Sequence, residues 1–213
     1  MRSKSQEILK KHYQTEKIGV RIYNFLRLII FPVDWLSKLL SDFKGKVLCL
    51  GCGYGVIETI LAVNNPQLFF IASDLDKNRI SAAQKMVKNV PNINFSVLNV
   101  EELSFPSEDT QNILFIDLIH HVRSEKQIPF LEKVWSLVPK GGALIMKDVD
   151  VRPKWKYWWN YVHDSLMAGP PLHYRSSEEY ERFFMKKGAS VILKKPVFLS
   201  PYNHYCLIAR KFA

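Results

Sequence analysis

The sequence has few cysteines and lacks a long apolar run. Its three cysteines do not have the spacing of a zinc site, and we expect no metal. An odd number, with Cys49 and Cys52 in a segment that looks buried, indicates reduced thiols, as in cytosolic proteins. The most apolar stretch, 25–31, stops at Pro32, far short of the about 20 residues that span a bilayer. These features argue against disulfides and against a membrane-spanning helix.

A secretory signal, internal repeats and low-complexity segments are also missing. Residues 1–11 are polar and charged, whereas a signal peptide needs an apolar core before its cleavage site. We therefore expect a cytoplasmic protein, with peripheral attachment to a membrane surface left open. A chain of 213 residues is long enough for one domain with its own core.

Positive charge is distributed unevenly along the chain, whose net charge is +10. Residues 1–46 hold ten Lys or Arg against four Asp or Glu, 47–146 hold eight against ten, and 147–213 hold twelve against six. The basic excess thus lies on both sides of the central part. Such asymmetry indicates an acidic partner, namely an anionic membrane surface, RNA or a phosphorylated substrate, or else a solvated basic surface.

Glycine is placed at alternate positions directly after a short apolar run. Val47–Leu50 has the composition of a buried parallel strand, and Gly51, Gly53 and Gly55 follow it where a helix should begin. Glycines remove the Cβ atoms that would keep a ligand away from the backbone. The dinucleotide fingerprint G-x-G-x-x-G would need glycine at Val56, so G-x-G-x-G predicts a nucleotide-like cofactor and disfavours nicotinamide.

At this loop the sequence resembles the class I S-adenosylmethionine-dependent methyltransferases. Their first motif is typically a strand, an acidic residue, an apolar residue and G-x-G-x-G, and Cys49 stands at the position of the acidic residue. The resemblance covers about residues 45–150 and, more loosely, the last strands. It implies S-adenosylmethionine as cofactor and an α/β, Rossmann-like fold. The implied sheet has seven mostly parallel strands in the order 3-2-1-4-5-7-6, the last one antiparallel, flanked by helices.

The cofactor residues follow from the resemblance and from strand ends. Asp74 ends the second predicted strand, 19 residues beyond Gly55, where a carboxylate can bind ribose hydroxyls. Asp76 is better placed to cap the next helix. Asn99 stands where the family has the acid that recognises the adenine amino group, although it could instead stabilise a turn. The remaining predicted contacts are Gly51, Cys52, Gly53, Gly55, Leu75, Val100 and Asp117.

Four histidines are candidate bases. The segment 118–122 looks like the Leu-His-His-Val signature that follows strand four in small-molecule methyltransferases of this class. A hydroxyl or ammonium acceptor needs a base of near-neutral pKa, and the candidates are His120, His121, His163 and His173. His163 and His173 are preferred because they lie in the variable, substrate-facing part. Packing of a loop beneath the cofactor is the alternative for the other two.

An aromatic, basic segment after strand five is the least generic part of the chain. We predict that 151–176 is an insertion over the substrate pocket, with substrate contacts from Trp155, Trp158, Trp159 and Tyr174. Its aromatic rings could stack on a planar substrate, bind an acyl chain or lie among bilayer headgroups. A core helix with Trp155, Trp158, Tyr161 and Val162 facing inward is the alternative.

The predicted organisation is a helical cap, 1–44, with helices over 5–16, 18–30 and 33–40, before a methyltransferase domain, 45–213. The cap could be a substrate lid, a membrane-surface anchor or helices packed on the sheet. We predict direct methyl transfer to a small-molecule or lipid-like acceptor. RNA is a less favoured acceptor, since no Asn/Asp-Pro-Pro-Tyr/Phe motif follows strand four. A non-catalytic S-adenosylmethionine-binding protein is the third hypothesis.

Overall fold

The computed structural model describes residues 25, 28, 30–86, 90–99, 102, 110–168, 171–196 and 201–212. The chain forms two compact units, residues 1–102 and 103–213. The helix predicted over 5–16, most of the helix predicted over 18–30 and Val100 lie outside the described residues. The predicted cap, 1–44, and insertion, 151–176, stay predictions.

Among its described residues, the first unit has three parallel strands and the helices named below. Strand β2 pairs in parallel with both β1 and β3, so that Leu50 lies opposite Ser73 and Asp74 opposite Val97. The glycine loop and Asp74 therefore begin at the same edge of these strands. The elements are α1 (Val33–Leu40), β1 (Gly45–Leu50), α2 (Val56–Asn64), β2 (Leu68–Asp74), α3 (Lys77–Met86) and β3 (Ile93–Val97).

Apolar spacing accounts for these elements. In α1, Leu36 and Leu40 are one turn apart and fully buried, whereas Trp35 and Leu39 are half-buried. In β1, the last four residues are buried, as expected of a central parallel strand. Burying one such side chain stabilises the fold by about 1.5–3 kcal/mol. The buried strand therefore fixes the position at which the glycine loop begins.

The second unit combines parallel and antiparallel pairing. Strand β4 pairs in parallel with β5, with Ile116 opposite Lys147, and β7 runs antiparallel to both β5 and β6. The elements are β4 (Thr110–Ile116), a 3₁₀ turn (Ile119–His121), α4 (Ser124–Leu137), β5 (Ala143–Val149), α5 (Lys154–Ala168), α6 (Ser177–Lys186), β6 (Ser190–Lys194) and β7 (His204–Arg210).

The seven strands form one sheet in the order β3-β2-β1-β4-β5-β7-β6. This confirms the predicted Rossmann-like α/β fold, including the reversed strand β7. Strand β4 begins at Thr110, two residues before the predicted start at Asn112. The prediction missed these residues because Thr110 and Gln111 are polar and do not continue the apolar run. Among the described residues, the helices are all too short or too polar to cross a bilayer.

The start of α6 shows the capping box that its sequence predicts. The Ser176 hydroxyl accepts a hydrogen bond from the Glu179 backbone N–H at 3.3 Å, and the Glu179 carboxylate accepts from the Ser176 N–H, also at 3.3 Å. Two N–H groups that lack partners within the helix are thereby satisfied. The helix begins at Ser177, two residues before the predicted start at Glu179.

Candidate active site

The glycine loop has a backbone that other residues rarely adopt. Gly51, Gly53 and Gly55 have φ angles of 70°, 58° and 70°, in the left-handed region. A Cβ atom at Gly55 would also lie 2.2 Å from Cε1 of Phe95 on β3. The loop is tied to β2 by the Cys52 N–H, which donates to the Ser73 carbonyl at 2.9 Å. Its shape thus depends on glycine both locally and through packing.

Asp74 holds this loop through its carboxylate. Its Oδ2 accepts a hydrogen bond from the Gly53 N–H at 2.8 Å, and its Oδ1 accepts from the Asp76 N–H at 3.0 Å. Asp76 instead caps α3, because its Oδ1 accepts from the N–H groups of Asn78 at 2.8 Å and Arg79 at 3.3 Å. The capping role predicted for Asp76 is therefore confirmed, whereas ribose binding by Asp74 stays a prediction.

Leu75 and Asn99 are two further residues of this unit that the sequence predicts to bind the cofactor. The Leu75 side chain is 69% exposed. Asn99 closes a turn: its carbonyl accepts from the Glu102 N–H and its side-chain amide donates to the Glu102 carboxylate, both at 3.1 Å. The structure thus shows the turn interaction, and adenine recognition by Asn99 stays a prediction.

Cys49 lies in the buried centre of β1. Burial raises the pKa of its thiol well above 9.0, and the negative charge of Glu58 raises it further. Glu58 belongs to the first turn of α2 and is itself buried. A carboxylate therefore lies close to the position at which the resembling family usually has an acidic residue on the strand. The sequence pattern did not identify Glu58, because it comes from a helix.

In the second unit, Asp117 and Lys147 form an ion pair at the end of β4. The Lys147 Nζ lies 2.5 Å from the Asp117 Oδ1, and the Lys147 side chain has no exposed surface. Asp117 has a positive φ of 50°, and its N–H donates to the Lys147 carbonyl at 2.8 Å. Aspartate tolerates this conformation better than most residues. The predicted cofactor residue Asp117 is thus held by a buried lysine.

His120 is paired with a second buried acid. Its Nδ1 lies 2.6 Å from the Asp148 Oδ1, and the side chains are 4% and 1% exposed. A carboxylate at Nδ1 favours the tautomer in which Nδ1 carries the proton and Nε2 is the basic nitrogen. The ring of Tyr174 stacks on His120 with centroids 4.8 Å apart and planes at 16°. This arrangement orients an imidazole and covers it with an aromatic ring.

A buried amide joins the segment around Tyr174 to the histidine turn. The Gln127 Nε2 lies within 3.1 Å of the carbonyl oxygens of Ile119, Val122 and His173, and its Oε1 accepts from the Tyr180 hydroxyl at 2.9 Å. The His173 N–H also donates to the His120 carbonyl at 2.7 Å. Burial, followed by the charge of Asp148, raises the pKa of Tyr180, which therefore stays a donor.

The four candidate histidines fall into two places. His121 is exposed and its ring lies 4.2 Å from that of His120, while the His173 Nδ1 is 3.2 Å from the Ser124 hydroxyl. His163, on α5, instead packs edge-on against Tyr202 with ring centroids 5.5 Å apart. The structure thus brings together His120, His121, His173 and Tyr174.

The tryptophans predicted to contact substrate point to solvent. Trp155, Trp158 and Trp159 are 62%, 61% and 56% exposed, and Val162 is 55% exposed. The alternative of a core helix with Trp155, Trp158, Tyr161 and Val162 inward is therefore wrong for the two tryptophans and Val162, while Tyr161 is half-buried. Among the α5 side chains that the structure describes, Asn160 is buried. Tyr157, from another side of the helix, contacts Tyr174 at 5.7 Å. Substrate contact by the tryptophans stays a prediction.

Asp148, Lys147 and Gln127 were not among the predicted site residues. The pairing of β4 with β5 could have identified the first two, because Ile116 lies opposite Lys147 and the residues beyond both strands share one edge. Gln127 lies on a helix and has no comparable signal. The described residues contain no group of three or more potential metal ligands.

Comparison with known proteins agrees with this geometry. Residues 47–142 match the model of a methyltransferase domain family. The chain is 26% identical over 145 residues to malonyl-[acyl-carrier protein] O-methyltransferase from Neorickettsia risticii, covering 68% of this chain and 54% of that protein. It is 29% identical over 133 residues to ribosomal RNA small subunit methyltransferase C from Hamiltonella defensa, covering 54% and 37%. The chain thus spans about half or less of the length of these relatives.

Solved structures show the same fold at low identity. Magnesium protoporphyrin IX methyltransferase from Synechocystis PCC 6803, crystallised with bound S-adenosylhomocysteine, has a TM-score of 0.67 at 15% identity, covering 98% of this chain and 95% of that one. An O-methyltransferase family protein from Burkholderia thailandensis has a TM-score of 0.71 at 15% identity, covering 98% and 68%. Residues 47–142 thus resemble a methyltransferase domain, and the chain has the fold of these solved methyltransferases.

Proposed function

We propose that this protein transfers a methyl group directly to a small-molecule or lipid-like acceptor, with His120 as the base. The observation that carries the proposal is the buried pair of His120 and Asp148, on which Tyr174 is stacked. An O-methyltransferase among the relatives supports oxygen as the methylated atom, and a hydroxyl acceptor must lose its proton to a base.

The first unit has groups that suit the cofactor. The Asp74 carboxylate uses one acceptor position on each oxygen for a backbone N–H, and each oxygen keeps a further lone-pair site for a ribose hydroxyl. The adjoining Leu75 offers exposed apolar surface to a nucleoside. At Gly51, Gly53 and Gly55 no Cβ atom keeps a ligand away from the loop backbone. When bound, S-adenosylmethionine supplies a methyl group on a positively charged sulfur.

The second unit supplies the proton acceptor. Asp148 orients the His120 ring through Nδ1 and stabilises the imidazolium that forms when Nε2 takes a proton from the acceptor. Tyr174 covers the ring and keeps water from it. Gln127 holds the backbone on either side of this arrangement by contacting the carbonyls of Ile119 and His173. The aromatic ring fits an acceptor with a flat or apolar body.

The cofactor part is tested by titration calorimetry with S-adenosylhomocysteine. Asp74→Ala should weaken binding at least about tenfold, because hydrogen bonds to a charged group are worth about 1.5–3 kcal/mol. The matched control is Asp76→Ala, which removes a helix cap and should leave affinity within about threefold while lowering stability by about 1 kcal/mol. Equal affinities of the two variants would contradict the role of Asp74.

The base is tested by transfer of labelled methyl groups from S-adenosylmethionine to fractionated small molecules and lipids. His120→Gln and Asp148→Asn should each lower transfer about 100-fold or more with unchanged S-adenosylhomocysteine affinity. His121→Gln, His163→Gln and His173→Gln test the other three histidines: loss of transfer in any of them, with full transfer in His120→Gln, would overturn the assignment.

RNA is the second candidate acceptor, favoured by the net charge of +10 and by a relative that is a ribosomal RNA methyltransferase. The same labelling experiment decides between them if an RNA fraction is included. Label in RNA, together with RNA binding that weakens steeply as salt rises, would replace the small-molecule acceptor by a polyanion.

A further inference from the structure

Helix α5 presents an apolar stripe to solvent. Trp155, Trp158, Trp159 and Val162 are spaced by three and four residues, so they lie on one face, and each is more than half exposed. Most monomeric proteins do not expose several large apolar side chains side by side. Tryptophan in particular is enriched where one side of the ring is apolar and the other is wet, as at a membrane surface.

Basic residues lie at the N-terminal end of the stripe. Lys154 is exposed, as is Arg152, whose Nη1 lies 3.4 Å from the Glu178 carboxylate, and the Lys156 Nζ lies 5.4 Å from the centroid of the Trp155 ring. The sequence has no Asp or Glu from 151 to 163. The segment therefore combines positive charge with indole rings on one exposed helix, which is the composition of helices that lie in the headgroup region of anionic bilayers.

We propose that the exposed face of α5 docks onto an anionic lipid bilayer surface. Trp155, Trp158, Trp159 and Val162 would enter the boundary between headgroups and acyl chains, and Arg152, Lys154 and Lys156 would contact lipid phosphates. The proposal does not depend on the identity of the methyl acceptor or on the role of His120.

Charge and geometry favour a bilayer over two other occupants. In a symmetric dimer the patch would meet its own copy, so Lys154 and Lys156 would enter an interface whose residues 151–163 include no acid to pair with them. On single-stranded RNA the tryptophans could stack on bases, but Val162 has no ring to stack. A bilayer accepts the whole stripe, because its boundary region requires neither a shaped partner nor an aromatic one.

The position of α5 links this surface to the candidate base. Tyr157, on a different side of the helix from the stripe, contacts Tyr174 with ring centroids 5.7 Å apart. Tyr174 in turn stacks on His120. Docking through the stripe would therefore bring the covered histidine close to the membrane surface.

The test is co-sedimentation of the full chain with vesicles of phosphatidylcholine, with and without phosphatidylglycerol. The wild type should bind the anionic vesicles and show a blue shift in tryptophan fluorescence. W158S/W159S should weaken binding at least about tenfold, since each buried indole contributes a large apolar area. Its matched control is Met185→Ser, which removes a 59% exposed apolar side chain on α6 and should bind like the wild type.

The charge contribution is tested by two variants with the same change in net charge. K154E/K156E reverses charge beside the stripe, and R182E/K186E reverses two exposed charges on α6. The first should weaken binding to anionic vesicles more than the second, and added salt should reduce the difference. Unchanged unfolding midpoints would show that all variants fold.

Three outcomes would overturn the proposal. The first is no binding of the wild type to anionic vesicles, or equal binding by W158S/W159S. The second is a dimer, seen by sedimentation, that W158S/W159S disrupts. The third is RNA binding that W158S/W159S abolishes while vesicle binding is unaffected. Each result is separable from the proposed function, because methyl transfer to a soluble acceptor is measured without vesicles.

Discussion

The carboxyl ends of β2 and β5 both carry aspartates, but they use them differently. Asp74, after β2, accepts hydrogen bonds from backbone N–H groups of Gly53 and Asp76. Asp148, at the end of β5, pairs with the side chain of His120, and Asp150 accepts from the Ser177 hydroxyl at 2.5 Å and pairs with the Lys195 Nζ at 3.0 Å. The aspartate at the end of β2 thus binds the backbone of a loop, whereas the aspartates at the end of β5 bind side chains from segments that are distant in the sequence.

The two arrangements differ in how much stability is lost when the aspartate is replaced. When a carboxylate that accepts from backbone N–H groups loses its charge, no charged partner is left unpaired, because the N–H groups are neutral. A carboxylate that pairs with a buried side chain leaves that group without its counter-charge when it is replaced. We therefore expect substitutions in the second unit to cost most stability, and the following variants test this from the largest expected effect to the smallest.

Asp117→Asn should give the largest loss, about 3 kcal/mol in the free energy of unfolding, because Lys147 is fully buried and loses an ionic partner. Asparagine keeps the volume and tolerates the positive φ. The control is Glu132→Gln, whose partner Lys187 is exposed; we expect less than about 1 kcal/mol. Urea unfolding of both variants measures the contrast, and equal losses would contradict it.

Gly55→Ala should cost about 2–3 kcal/mol, since a left-handed alanine is strained and its Cβ would meet Phe95. Gly188→Ala isolates the strain, because Gly188 has a φ of 76° with nothing within 4 Å of an added Cβ. About 1 kcal/mol is expected there. If the two variants unfold at the same urea concentration, packing against Phe95 is unimportant.

Ser176→Ala should destabilise by about 1 kcal/mol, because it removes the side-chain half of the capping box on α6. The exposed Ser136, whose hydroxyl donates to the Lys133 carbonyl, is the control and should change stability by less than about 0.5 kcal/mol when replaced by alanine. Thermal unfolding followed by circular dichroism resolves this difference. A larger loss in Ser136→Ala would refute the cap assignment.

Raised pH should destabilise the fold through its buried thiols, with no effect near neutrality. Burial raises the pKa of Cys206 from 9.0 to about 12. The folded state therefore keeps the proton where the unfolded state has lost it, so stability is full below about pH 9 and falls toward about pH 12, by at most about 1.4 kcal/mol per pH unit. Cys206→Ala should show a smaller decline between these limits; an identical decline would exclude the thiol as its cause.

Local features were predictable from the sequence, and side-chain partnerships were not. The glycine loop, Asp74, Asp76 and the capping box at Ser176 depend on neighbours within a few residues or on one strand pairing. The pairing of His120 with Asp148 joins residues 28 apart and depends on the register of β4 with β5. Preference for His163 and His173 followed from their place in a variable segment, which says nothing about a carboxylate partner.

The α5 segment shows the limit of periodicity. Spacing by three and four correctly indicated a one-sided helix, but the apolar side faces solvent. Periodicity alone cannot decide this, because a stripe that packs on a core and a stripe that meets an outside surface have the same spacing. Counting charges beside the stripe is more informative, since three basic residues and no acids from 151 to 163 are unsuited to a core.

The contact between Gly55 and Phe95 has a consequence for sequence variation. The aromatic ring occupies the volume that a side chain at 55 would need, and it is itself buried. Side-chain sizes at these two positions should therefore vary together: a homologue with alanine at 55 should carry a smaller residue at 95. By the same reasoning, replacing Phe95 with leucine should make Gly55→Ala less harmful than it is alone. The cofactor loop cannot be redesigned independently of the sheet beneath it.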